Sequence, residues 1–150
     1  MKIIFSIIIS LFLSSISYSK NTDIIHDFKI TFDCKLEKIM IKNKDFNYQT
    51  FTADNIEVDK NKVLKVVAEQ PSVLTINGLS EFIDTYSDIS KDDVRIAKND
   101  IILFKNIDFK KKYSESVFLN RSTGELIHEV TKNMNTKDNE KYISFFGCKK

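Results

Sequence analysis

The chain has 150 residues, 42% of them apolar, with 23 basic and 21 acidic side chains and a net charge of +2. That length suits one domain with a real core and is too short for two. Near-balanced charge supplies no field for gathering nucleic acid, and with only three glycines a loop that brings backbone close to phosphate is hard to build.

Met1 to Ser19 reads as a cleaved export signal. Lys2 provides the positive start, Ile3 to Leu13 is apolar apart from Ser6 and Ser10, and Ser17-Tyr18-Ser19 places small residues where a signal peptidase reads them. The apolar run is about half of the roughly 20 residues a membrane span needs, so no integral membrane segment is expected after cleavage. No lipoprotein motif is present, because Cys34 follows Thr31-Phe32-Asp33 far beyond the apolar run. The expected mature domain is residues 20–150, periplasmic or secreted, with a charge of +1 once Lys2 is gone.

From Phe28 the pattern alternates, with Phe28, Ile30, Phe32 and Cys34 on one face and Lys29, Thr31 and Asp33 on the other. This is a half-buried strand. The phase shifts near Glu37-Lys38 before Ile39-Met40-Ile41, which predicts a bulge or short break. Lys42 to Asp45 is a turn, and Phe46 to Phe51 a second strand. Asn55 to Asp59 and Val63 to Ala68 are two short segments, the latter strand or helix, and Pro71 ends what precedes it.

Residues 72–90 carry two competing signals. Ile76-Asn77-Gly78-Leu79 predicts a tight hairpin, whereas Leu79, Phe82, Ile83 and Tyr86 lie at helical spacing behind Ser80 as a possible N-cap. A strand through Ile76 followed by a strand or one short helix accommodates both. Val94 to Ala97, a turn at Lys98-Asn99-Asp100, Ile101 to Phe104 and Ile107 to Phe109 follow. Val117 to Val130 is the firmest hairpin, two apolar runs around Asn120, Ser122, Thr123 and Gly124. Thr131 to Glu140 is a loop or frayed strand end, and Tyr142 to Phe146 is a last strand that delivers Cys148. Many short strands and at most one short helix predict a mainly β, single antiparallel domain, barrel-like or strongly curved.

Cys34 and Cys148 predict a structural disulfide between the first and last strands, worth on the order of 4–5 kcal/mol in the chain-entropy picture. Neither cysteine is then left as a nucleophile. No phosphate loop, nucleophile elbow or zinc-ligand helix occurs, so no catalytic set, metal site or cofactor is expected. His26 lies in a polar stretch. His128 shares a face with Leu126 and Val130 and reads as a tucked, hydrogen-bonded histidine, the alternative being a general base or metal ligand. Asp27 and Asp33 form no recognisable ligand set with it. The carboxylates Asp84, Asp88, Asp92, Asp93, Glu125 and Glu129 read mostly as surface charge, although a glycosidase pair could lie among them. Lys110-Lys111-Lys112, between Phe109 and Tyr113, reads as a solvated strand end or lysine-protected edge, or as a contact for an anionic surface. Arg121 at the hairpin tip is the candidate binding residue, or else a partner for Glu125 across the turn.

Leu119-Asn120-Arg121-Ser122-Thr123-Gly124-Glu125-Leu126, with Tyr142 and Gly147-Cys148 behind it, resembles the C-terminal third of small exported bacterial β-proteins of unassigned function. That resemblance implies a periplasmic β-domain and no activity. In size, export and the early cysteine of Ile30-Thr31-Phe32-Asp33-Cys34 the chain is more distantly similar to periplasmic inhibitors of C-type lysozyme. It lacks their serine- and glycine-containing loop motif and their tryptophan. The leading expectation is a non-enzymatic envelope protein that binds another envelope or secreted protein. The alternatives are a carrier of a small apolar ligand inside a barrel, an inhibitor or immunity protein against a lytic enzyme or toxin, and a small envelope hydrolase.

Overall fold

The computed structural model describes residues 29–56, 62–69, 73–79, 82–83, 85, 94–98 and 100–150. The export signal, Phe28, Pro71, Ser80, Tyr86 and most of Ile56 to Asp59 lie outside the described residues.

Among the described residues nine strands follow one another: β1 (Lys29–Lys42), β2 (Gln49–Thr52), β3 (Leu64–Glu69), β4 (Val73–Asn77), β5 (Val94–Lys98), β6 (Ile101–Asp108), β7 (Tyr113–Asn120), β8 (Glu125–Lys132) and β9 (Glu140–Lys149). They form one antiparallel sheet in the order β4-β3-β1-β9-β8-β7-β6-β5, curled into a nearly closed barrel. β1 is long enough to serve two neighbours on one side, β3 along Lys29 to Cys34 and β2 along Lys38 to Ile41, while β9 runs along its other side. The register of β1 against β9 slips between Leu36 and Lys38, the bulge foreshadowed by the phase shift there.

Period-2 alternation sets the inward face. Phe32 and Cys34 on β1, Leu64, Val66 and Ala68 on β3, Ile102 and Phe104 on β6, Val117 and Leu119 on β7, Leu126 on β8 and Phe146 on β9 make one buried cluster. A second cluster, Ile39, Ile83, Tyr113 and Val130, fills the other end, with Ile41, Phe51 and Tyr142 against it.

Four local expectations are revised. The expected second strand begins only at Gln49 and runs to Thr52, because Tyr48 takes a positive φ of 56° that breaks the extended run. Residues 53–55 form a single 3-10 turn. Ile101 to Phe104 and Ile107 belong to one strand that ends at Asp108, with Phe109 in the turn, since the polar Lys105 and Asn106 keep the alternation and pair with Ser116 and Glu115. Among the described residues directly after Gly78 no strand pairs back on β4. The Gly78 φ of 94° ends β4, and the N–H of Phe82 then donates to the carbonyl of Leu79, a turn that buries Leu79 and Ile83.

Among the described residues no helix is long and apolar enough to cross a membrane.

Candidate functional site

The β7–β8 turn is built as its residue types demand. The Asn120 carboxamide oxygen accepts the N–H groups of Ser122 and Thr123 at 2.9 and 3.1 Å, and the Gly124 N–H returns to the Asn120 carbonyl at 2.9 Å. Gly124 has φ of 74°, and a Cβ there would collide with the Cys148 carbonyl. The Cys148 N–H donates to the Gly124 carbonyl at 2.7 Å, so the turn lies directly on the end of β9. Cys34 and Cys148, partners in the β1–β9 register, are joined by the disulfide. Beside it a groove of about 550 Å³ runs past Lys35, Glu37, Thr123 and Cys148, with charges of both signs on its walls.

Arg121 sits in this region but is turned in, only 5% exposed. Its N–H donates to the Asp100 carbonyl at 2.7 Å, tying the β7–β8 turn to the β5–β6 turn. Burial lowers the proton affinity of the guanidinium, and the Asp100 charge works against that shift. Of the carboxylates singled out from the sequence, Glu129 pairs with Lys141 at 2.8 Å and Asp33 with Lys65. Glu125 is exposed in the hairpin register opposite Asn120. His26, Asp27, Asp84, Asp88, Asp92 and Asp93 lie outside the described residues.

His128 is fully buried, and its partners were not apparent from the sequence. Its Nε2 lies 2.8 Å from Glu115 Oε1, and the hydroxyl of Tyr113 donates to Glu115 Oε2 at 2.9 Å. Tyr113 and Glu115 share the inward face of β7, and His128 projects from β8 one diagonal step away. Ser144, the β9 register partner of His128, is buried beside it. This polar layer lies between the two apolar clusters. Neither His128 Nδ1 nor Ser144 Oγ has a hydrogen-bond partner among the described residues.

Serine, histidine and glutamate side by side invite comparison with a hydrolytic triad. Ser144 Oγ makes no hydrogen bond to His128 among the described residues, however, and full burial separates all three from a surface-bound substrate. The layer fits a structural role, a hydroxyl and an imidazole converging on a carboxylate inside the barrel. No group of three or more His, Cys, Asp or Glu among the described residues is placed to hold a metal ion.

The outer wall carries a different feature. Leu103, Phe118, Ile127 and Phe145 are consecutive register partners on β6, β7, β8 and β9, all on the outward phase. At neighbour spacings near 4.8 Å they make an apolar row about 14 Å long where an outer sheet face is ordinarily polar. Lys38, the β1 partner of Phe145, closes one end with its ammonium 4.6 Å from the ring centroid. Comparison of the chain with protein-family models, curated proteins and solved structures returns no match.

Proposed function

We propose that this chain is an exported, non-enzymatic binding protein of the bacterial envelope that docks another envelope or secreted protein on the wall formed by β6, β7, β8 and β9. The observation that carries the reading is the in-register row Leu103–Phe118–Ile127–Phe145 on the outer face. Leu103 is exposed and Phe118, Ile127 and Phe145 are half-buried, and a contiguous apolar row that reaches solvent favours a contact site. Lys38 at the end of the row gives the contact a polarity, because a partner with an apolar centre and a carboxylate over Lys38 would satisfy both. Export is supported by the disulfide, a bond that persists in oxidising compartments.

The test is a photo-crosslinking side chain placed at Phe118 in living cells, with Lys65 on the far wall as the control position. A discrete adduct from Phe118 alone, lost when Ile127→Glu is added, is the expected result. No adduct, or the same adducts from both positions, overturns the reading. N-terminal sequencing of the envelope fraction checks export separately, the expected first residue being Lys20.

A further inference from the structure

The end of the barrel away from the disulfide gathers three connections: the β1–β2 turn, the β6–β7 turn and the β8–β9 loop. Phe109, in the β6–β7 turn, is 75% exposed, and Tyr48 in the β1–β2 turn is 44% exposed. Residues 42–48, 108–112 and 132–140 together hold seven lysines against four carboxylates, an excess of three positive charges at one end of a chain whose total is +2. Lys110, Lys111 and Lys112 are all exposed.

Phe109 is held outward by a fixed turn. Asp108 Oδ1 accepts the N–H groups of Lys110 and Lys111, each at 3.0 Å. Lys112 takes a φ of 51°, and its carbonyl accepts the Met134 N–H at 2.8 Å, joining the tip to the β8–β9 loop. β7 is paired on both sides along the hairpin, by β6 and β8, whereas β5 accompanies β6 only from Ile101 to Phe104.

We propose that this end docks on an anionic phospholipid bilayer, with Phe109 entering the interfacial region and the lysines around it meeting headgroup phosphates. An aromatic side chain presented by a rigid turn and ringed by lysines has the two parts a peripheral membrane contact needs: apolar area to insert and positive charge to draw it to the surface. Neither part suffices alone, so the attachment is reversible and salt-sensitive. The proposal uses a different surface from the apolar row on the wall, and either can fail without the other.

The chain contains no tryptophan, so Phe109→Trp makes the exported protein its own reporter. With vesicles of equimolar phosphatidylcholine and phosphatidylglycerol we expect a blue shift of its emission and co-flotation of the protein. Vesicles of phosphatidylcholine alone should give neither. Phe109→Ser should lower binding about tenfold, the effect of removing one buried aromatic, and Lys110→Gln and Lys112→Gln roughly fivefold each. Lys149→Gln, at the opposite end, should change nothing. Phe109→Ser also separates the tip from any contribution of the apolar N-terminus. The proposal is overturned by the absence of a blue shift on anionic vesicles, or by vesicle binding that ignores Phe109→Ser. Retention on polyaspartate-coated beads that equals vesicle binding and is insensitive to Phe109→Ser would assign the lysines to an acidic protein and overturn it too.

Discussion

His128 and Glu115 show how much a single buried contact can matter. Removing one member of a buried charged or charge-assisted pair leaves the other desolvated without compensation, whereas replacing the whole group by apolar residues removes the desolvation problem with the charge. We therefore expect His128→Ala to lower stability by about 3–5 kcal/mol in urea unfolding. Tyr113→Phe combined with Glu115→Leu and His128→Leu should stay near the unaltered protein. A triple variant as unstable as the single one would contradict the argument. Gly124→Ala meets both a positive φ and the Cys148 carbonyl, so a loss of at least about 1 kcal/mol is expected. At the other end of the barrel the Lys111 N–H, helped by the Lys110 N–H and the charges of both lysines, holds the Asp108 carboxyl below the ordinary aspartate value. With its folded value depressed, its contribution to the turn is present above the unfolded aspartate pKa and is lost as pH falls through the folded one. An NMR titration followed at the Lys111 amide should place that transition below the ordinary aspartate range.

At the scale of elements, β1 and β9 hold the sheet together twice over. They share nine register pairs, and the disulfide crosses between them with 114 residues separating its cysteines in sequence. The hydrogen bonds act on the folded state, while the crosslink acts chiefly by limiting the unfolded chain. Cys34→Ala with Cys148→Ala should thus lower stability by about 4–5 kcal/mol in denaturant without altering the far-UV circular dichroism of the folded protein. Loss of the β signal in water would mean that the pairing depends on the bond. The β6–β7 hairpin illustrates a limit on reading elements from sequence. Lys105 and Asn106 resemble a break between two apolar runs, yet both continue the alternation of one strand. Polarity alone does not end a strand whose outer face meets solvent.

For the whole molecule, curling the sheet separates what the side chains can do. The interior takes up two apolar clusters and the polar layer between them, the outer wall keeps the row from Leu103 to Phe145, and one end collects Phe109 and the lysines. The mainly β class, the bulge near Glu37, the turn at Asn120 to Gly124 and the Cys34–Cys148 bond were all legible in the sequence. Each rests on local periodicity, on turn chemistry or on the presence of only two cysteines. Tyr113 and Glu115 belong to the same inward phase as Val117 and Leu119, so a partner for His128 could have been found by carrying that alternation back two more steps. The inward placement of Arg121 could not, because it depends on the β5–β6 turn arriving beside the β7–β8 turn. The same holds for the outer row, whose four members come from four strands and meet only through register. The sequence by itself therefore determined the mainly β class, the bulge in β1, the turn at Asn120 to Gly124 and the cysteine pairing, since those follow from neighbours a few residues apart or from the presence of two cysteines. The tertiary structure alone decided which residues stand together, because strand order and register bring into contact side chains that no local pattern relates.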